Sequence, residues 1–305
     1  MHFQYFKNTA IVQFRTDFIN TFEYISISEG MNRKFIEVRE IDESGSVNHL
    51  SVINRSEFFV FMSDGDILKG AKQNRVLNTS VLIEPKSQTI IPVSCVEAGR
   101  WRRSTDIFEY ENFSAPVHLR SDKAWNVKKN LNSDKLHNSD QGKIWKFVSD
   151  YQKDLNYFSE TSNLSEVYEA KHRDIENLTS KYNPEKNSNG IAIFINAKLL
   201  NLEVYNSSKI YEEYFPRLLK GAFMDVYSTK RKDIAMTEAE AFYKTNDFLD
   251  IYENLNFEIH KGVAAGTEKR FDTSEFSGLE LIYKDKTIHL AALNLKKESK
   301  QQDYI

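Results

Sequence analysis

Residues 69–101 read KGAKQNRVLNTSVLIEPKSQTIIPVSCVEAGRW and include the only cysteine of the chain, Cys95. Two apolar runs, 76–83 and 89–96, flank a turn that contains proline (EPKS), which predicts two strands joined by a turn. From Lys69 to Arg103 there are seven basic and two acidic side chains, a local charge of +5 in a chain whose net charge is −3. This local excess of positive charge indicates an anionic ligand.

Strand signals dominate the N-terminal part of the chain. An alternating pattern at 22–28, the pair KFIEVR (34–39) and HLSVI (49–53), and the apolar run 58–62 each predict a strand. Turn signals recur about every 8–12 residues, which is the spacing of a sandwich or a barrel. We therefore expect residues 1–118 to form a β-rich part that carries the polar motif.

Helical periodicity marks the middle of the chain, and the remainder is mixed. Apolar residues at helical spacing predict helices within 144–158 and 164–182. Hairpins are predicted at 191–205 and 279–293, with a helix between them that holds a proline and another that begins at a Thr-x-x-Glu capping box. The sequence predicts an α+β fold of three parts, 1–118, 119–183 (helical) and 184–305 (α+β), which pack as one compact unit.

Composition excludes several classes of function. A net charge of −3 and a pI near 6.2 argue against general binding to nucleic acid or to an anionic membrane. No apolar run reaches the 18 or so residues of a membrane span, and the N-terminus lacks the pattern of a signal peptide. With one cysteine no internal disulfide forms, so we expect a cytoplasmic protein. No metal-ligand spacing, P-loop or Rossmann motif predicts a metal or a cofactor.

Four consecutive polar side chains, Lys72, Gln73, Asn74 and Arg75, are the first candidate ligand-binding residues. Together they offer many hydrogen-bond donors to a phosphate, a ribose or a carboxamide, with Arg75 as a bidentate partner. The alternative is a structural turn in which the amides bond to local backbone and Arg75 pairs with an acidic neighbour, Glu97 or Glu84.

Five further residues are candidates for the same ligand site. Asn78 is unusual inside a predicted strand, Arg100 adds a cation, and Trp101 could stack on an adenine or nicotinamide ring. Asp140 and Gln141 could contact a ligand from the N-terminus of a predicted helix. The alternatives are a core tryptophan and a helix cap.

Glu97 and Cys95 are the candidates for catalysis. Glu97 directly follows a predicted strand and could act as a general acid or base, or it could form a salt bridge with Arg100 or Arg102. Cys95 could be a nucleophile, but it shares a strand face with two apolar residues, which favours a buried and unreactive thiol.

Three stretches, 70–79, 92–97 and 99–101, resemble a bacterial domain family of unknown function, the ADP-ribosylglycohydrolase and rhodanese-phosphatase associated protein domain. The SDQG stretch at 139–142, followed by Trp145, resembles a further block of that family. The resemblance covers about residues 15–295. It implies, by association only, a role near NAD or ADP-ribose metabolism, and it assigns no catalytic residue.

Two functions follow from the sequence. The first is binding, with or without processing, of an ADP-ribose-like or other phosphorylated nucleotide ligand. The second is a non-catalytic interaction module that docks onto a partner enzyme, in which case an exposed apolar patch carries the function.

Overall fold

The computed structural model describes residues 1–41, 48–100, 104–133, 136–228 and 234–296. Its strands are β1 (His2–Phe6), β2 (Thr9–Phe14), β3 (Ile25–Ser26), β4 (Ile36–Glu40), β5 (His49–Asn54), β6 (Val60–Met62), β7 (Asp66–Gly70), β8 (Arg75–Leu77), β9 (Val81–Ile83), β10 (Ser87–Cys95), β11 (Phe108–Ser114), β12 (Gly190–Ile195), β13 (Lys198–Tyr205), β14 (Glu258–Lys261), β15 (Thr267–Asp272), β16 (Phe276–Tyr283) and β17 (Lys286–Asn294). Its helices are α1 (Ile27–Asn32), α2 (Val117–Leu131), α3 (Gln141–Asp154), α4 (Leu164–Ala170), α5 (His172–Thr179), α6 (Ser208–Ser228) and α7 (Glu238–Glu253). The α+β fold class is confirmed.

An antiparallel sheet of eight strands, in the order β1-β2-β12-β13-β17-β16-β15-β14, forms one layer. The predicted hairpins β12–β13 and β16–β17 are confirmed. β2 is buried along its whole length because both faces of the sheet are covered. Ala10 and Val12 pack with Phe248 of α7, whereas Ile11 packs with Tyr211 of α6.

The N-terminal part forms two smaller sheets, β11-β7-β8-β10-β5-β4 and β3-β6-β9. The predicted strand 76–83 is wrong as one element, because it is divided into β8 and β9, which belong to different sheets. The break falls at Asn78, Thr79 and Ser80, whose side chains hydrogen-bond to buried polar partners. Short polar side chains favour such local departures from a strand ladder.

Other predicted elements differ in their bounds. The strand expected at 22–28 is reduced to β3, because Ser26 caps α1 by accepting a hydrogen bond from the backbone N–H of Glu29. The helix expected at 164–182 is two helices, α4 and α5, separated at Lys171. The helix with proline is continuous, with Pro216 in its interior, and the capping box of α7 at Thr237 is confirmed.

α2 falls almost wholly within the predicted helical part 119–183, but no individual helix was predicted at its position, although it packs against β15, β16, β17, α3 and α6. Its buried side chains include Arg120, Ser121, Lys123 and Asn126. Four of its eight buried residues are therefore polar, which weakens the apolar periodicity that usually signals a helix.

Strands from the first and last thirds of the chain share one sheet. β2 pairs with β12, and α2 packs against β16 and β17. We therefore propose that the three sequence segments fold as one unit. Within the residues that the structure describes, no helix has the length and apolar character needed to cross a membrane.

Candidate functional site

Asn74, Glu97 and Arg100 are brought into direct contact. The Glu97 carboxylate accepts hydrogen bonds from the backbone N–H of Asn74 at 3.0 Å and from Arg100 Nε and Nη2 at 2.9 and 2.8 Å. Arg100 also donates to the backbone oxygens of Gly70 and Ala71 at 3.3 and 2.7 Å. The pair therefore ties two loops together, as the salt-bridge alternative for Glu97 expects.

Gln73 and Arg75 extend this group inward. Arg75 is 1% exposed, and its Nη1 donates to the backbone and side-chain oxygens of Gln73 at 3.1 and 3.3 Å. Its acidic partner is Glu40 at 3.5 Å, whereas the sequence suggested Glu97 or Glu84. Together, Gln73, Asn74, Arg75, Glu97 and Arg100 are called the motif cluster below. Lys72, which precedes it, is half-buried.

Cys95 and Gln141 meet through the backbone. The Gln141 side-chain amide accepts from Cys95 N–H and donates to Cys95 O, both at 2.8 Å. The Cys95 side chain is fully buried, and burial raises the pKa of its thiol to about 11. Asp140 caps α3 by accepting from the backbone N–H of Lys143 at 3.2 Å.

Asn78 lies apart from the motif cluster. It donates to the backbone oxygen of His137 at 3.1 Å and accepts from Ser94 Oγ at 2.8 Å. Trp101 lies outside the described residues, so its stacking role stays a prediction.

A second group, the buried ionic cluster, surrounds α2. Arg120 donates to Glu203 at 2.7 and 3.1 Å and to Asp64 at 3.2 Å, and Lys123 also pairs with Asp64. His289 Nε2 lies 3.2 Å from Glu203. All five side chains are at most 1% exposed. Charges so deeply buried persist only when each has a partner.

Burial shapes the ionisation of this cluster. Burial by itself would raise the pKa of Glu203, but the charge of Arg120 and the hydrogen bond to His289 outweigh it and hold the pKa well below its usual range. Burial lowers the pKa of Lys123 to about 8, against the attraction of Asp64. The network anchors α2 to β13 and to the turn before β7.

Ser80, His289 and Glu203 form a hydrogen-bonded chain that has the composition of a hydrolase triad. Ser80 Oγ lies 2.8 Å from His289 Nδ1. The same oxygen accepts from the backbone N–H of Asp64 at 2.9 Å, and the three side chains are fully buried. Ser80 therefore contributes to packing of the ionic cluster and is not exposed to a substrate.

A third region is an open groove of about 1210 Å³ between α1–β4 and β11–α6, called the α1–α6 groove. Charged side chains from both walls face it: Glu29, Arg33, Lys34, Glu37, Arg55, Glu109, Glu213, Arg217 and Lys220. Its volume exceeds the range of about 300–1,000 Å³ that is usual for small-molecule sites. Among the described residues no group of side chains has the ligands of a metal site.

Arg217 borders this groove and is held rigidly. It is 6% exposed, and its guanidinium lies over the rings of Tyr110 and Tyr214 at 4.0 and 4.4 Å. Its Nη2 donates to Asp66 at 2.9 Å, whereas its buried Nε has no hydrogen-bond partner among the described residues. Burial lowers the pKa of Arg217 to about 10, which leaves it charged at neutral pH. An oriented cation at the edge of a groove favours an anionic ligand there.

Two carboxylic acids line the same groove next to Ser26. Ser26 Oγ donates to Glu213 and accepts from the backbone N–H of Glu29 at 3.0 Å. Glu29 pairs with Lys209 at 2.5 Å and with Arg33 at 2.8 Å. The hydrogen bond from Lys209 holds the pKa of Glu29 below its usual value, whereas burial raises the pKa of Glu213.

None of these groove residues is among the candidates predicted from the sequence. On α6, Glu213, Arg217 and Lys220 recur at intervals of four and three residues between aromatic and aliphatic neighbours. A charged stripe on a largely apolar helix is the signal that could have found them.

Fold and site together define an α+β protein with a buried ionic core and an open, charged groove. The chain belongs to the ARG and Rhodanese-Phosphatase-superfamily-associated Protein domain family, whose model matches residues 2–293. The family name links it to ADP-ribosylglycohydrolases and to rhodanese-phosphatases. No curated protein and no solved structure matches the chain significantly.

Proposed function

We propose that the protein binds a phosphorylated, nucleotide-like small molecule in the α1–α6 groove. The observation that carries this proposal is an open groove of about 1210 Å³ bordered by the oriented guanidinium of Arg217 and by four further cations, Arg33, Lys34, Arg55 and Lys220. Because Asp66 and the rings of Tyr110 and Tyr214 already fix the guanidinium of Arg217, it would lose little conformational freedom on binding an anion.

Side chains around Arg217 suit a ligand that has both phosphate and ring groups. Lys34 borders the groove and has no ion-pair partner among the described residues, so it is available to a second phosphate oxygen. Arg33 lies over the rings of Phe35 and Phe58 at 4.4 and 5.4 Å, which gives one wall a flat, cationic surface. Such surfaces bind planar rings and phosphates.

The family association supports an ADP-ribose-like ligand over an unrelated phosphate ester. We assign the motif cluster a structural role, because Arg100 Nε, Nη1 and Nη2 and the carboxylate of Glu97 bond to the protein itself. The anion-binding function that the sequence ascribed to residues 72–75 and Arg100 is thereby moved to Arg217 and its neighbours.

Isothermal titration calorimetry with ADP-ribose, AMP and inorganic phosphate tests the proposal. We expect ADP-ribose to bind the wild type and Arg33→Ala to weaken it at least about tenfold, a loss of ~1.4 kcal/mol. Arg217→Lys is the second variant, because it keeps a cation beside Asp66. Arg173→Ala, an exposed change on α5, is the matched control and should bind like the wild type. Absence of binding by all three compounds would overturn the proposal.

Docking of a partner polypeptide is the second candidate, and one observation favours it. The consecutive residues 107–110 line the groove, so both faces of this strand end border it. Ile107 and Phe58 near the rim are 46% and 39% exposed. An extended peptide could add to such a strand edge. If no compound binds but a purified ADP-ribosylglycohydrolase does, and Ile107→Lys abolishes that binding, the docking function replaces the first.

A further inference from the structure

The turn after α1 presents two neighbouring cations to the α1–α6 groove. The backbone N–H of Lys34 donates to Met31 O at 2.9 Å, and the backbone N–H of Phe35 donates to Gly30 O at 2.8 Å. These are the two hydrogen bonds of a Schellman motif, which ends the helix at Arg33 and turns the chain at Lys34. The side chains of Arg33 and Lys34 are exposed, and both line the groove.

The guanidinium of Arg33 lies on two aromatic rings. Its Cζ is 4.4 Å from the ring centroid of Phe35 and 5.4 Å from that of Phe58. The two rings are stacked on each other, with centroids 6.4 Å apart and 20° between their planes. Glu29 holds the edge of the guanidinium by accepting a hydrogen bond from Arg33 Nη1 at 2.8 Å, yet the Arg33 side chain is 44% exposed. Arg33, Phe35 and Phe58 are called the stacking surface below.

Hydrogen bonds within the protein fix the stacking surface. Asn54 Nδ2 donates to Phe58 O at 2.8 Å, and Ser56 Oγ accepts from the backbone N–H of Phe58 at 3.2 Å. The backbone N–H of Arg55 donates to Phe35 O at 2.9 Å. A surface that the protein already holds in place loses little conformational entropy when a ligand packs on it.

We propose that the stacking surface is the base-binding subsite of the groove, where the base of a nucleotide stacks on the open face of Arg33 and Lys34 holds the phosphate. This inference rests on the proposed function and specifies its ligand class, a nucleotide and not a sugar phosphate.

The orientation of Arg33 supports a base over a second phosphate. Phosphate oxygens bind the edge of a guanidinium, where its N–H groups point, whereas aromatic rings bind its face. In Arg33 the bond to Glu29 occupies part of the edge and the aromatic rings cover one face, so the opposite face is the broad surface that remains. Every base has a π-face, so such a surface favours nucleotides as a class without selecting among bases.

Arg33→Lys separates stacking from charge, because lysine keeps a cation beside Glu29 but has no flat face. Calorimetry gives the dissociation constants of ADP-ribose, AMP and ribose 5-phosphate for the wild type, for this variant and for the control Arg173→Lys, an exposed change on α5. We expect Arg33→Lys to weaken ADP-ribose and AMP at least about fivefold, the effect of losing one stacked base, and to leave ribose 5-phosphate unchanged. Arg173→Lys should bind all three compounds like the wild type.

Lys34→Gly should give a different pattern. Lys34 has φ +57°, and glycine is the preferred residue at this position of a Schellman motif, so the variant keeps the turn. We expect it to weaken all three compounds alike, because each carries a phosphate, and to leave the urea midpoint no lower than that of the wild type.

The outcomes distinguish the subsite from the binding function. If Arg33→Lys weakens ribose 5-phosphate as much as AMP, Arg33 contacts the phosphate and the base subsite is wrong. If Arg33→Lys binds AMP like the wild type, no base stacks there, and the binding function stands without the subsite. Unchanged binding by Lys34→Gly would reject Lys34 as the phosphate partner, and absence of ADP-ribose and AMP binding to the wild type would remove both proposals.

Discussion

Replacing Arg120 with methionine should destabilise the protein strongly, because this side chain neutralises two buried carboxylates. Methionine keeps much of the volume but removes three hydrogen bonds, two to Glu203 and one to Asp64. Asp64 retains Lys123, whereas Glu203 retains neutral donors and His289. Breaking one partner of a buried ion pair costs about 3–5 kcal/mol. At ~2–4 °C per kcal/mol the melting temperature should fall by roughly 6–20 °C.

Urea unfolding followed by circular dichroism measures this loss of stability, with Arg173→Met on the exposed face of α5 as control.

The loss of unfolding free energy caused by Arg120→Met should also depend on pH. The pKa of Glu203 is depressed in the folded state, so its contribution is complete above the unfolded pKa of about 4.3 and is lost as pH falls toward the folded pKa. The difference between wild type and Arg120→Met should therefore be largest above about pH 5 and shrink in acid. A loss below about 1 kcal/mol at neutral pH would refute the view that the ionic cluster holds α2 in place.

Three further results are expected. Gly65→Ala should destabilise the folded protein by about 1–3 kcal/mol, because Gly65 has φ +83° and an added Cβ would lie 2.5 Å from Arg120 Cδ. Equal urea midpoints for the variant and the wild type would contradict this. Glu97→Gln should lower the free energy of unfolding by about 1.5–3 kcal/mol in the same assay, because it weakens the hydrogen bonds to Arg100. An unchanged urea midpoint would show that the motif cluster does not contribute to stability. Cys95 should react with a thiol reagent at neutral pH at least about 100-fold more slowly in the folded than in the urea-unfolded protein, and comparable rates would show an accessible thiolate.

The sequence was most informative where apolar patterning and turn chemistry agree. The hairpins β12–β13 and β16–β17 follow from alternating strands on either side of short polar turns, and the capping box of α7 places its first turn correctly. The pairing of β4 with β5 was found for the same reason. In each case a local signal is sufficient because the neighbouring element in sequence is also the partner in space.

Prediction failed where burial is polar. α2 turns Arg120, Lys123 and Asn126 toward the interior, so its buried face looks like a solvated one in sequence. Asn78 and its two neighbours end β8 because their side chains bond to groups that come from far along the chain, including Glu268 and His289. Glu268 and His289 lie 189 and 209 residues from their partners Thr79 and Ser80, so these contacts leave no local trace.

A high number of hydrogen-bond donors in a short stretch of sequence does not by itself indicate a ligand site. The same donors can all be bonded to other groups of the protein. In the motif cluster the donors of Arg100 bond to carboxylate, amide and carbonyl oxygens of the same loops. Arg217, by contrast, borders an open groove together with Arg33, Lys34 and Lys220. The free energy available to a ligand depends on donors that are accessible, because a bond to a donor that is already paired within the protein must first break an existing one. This is why we assign the ligand to the groove and the structural role to the motif.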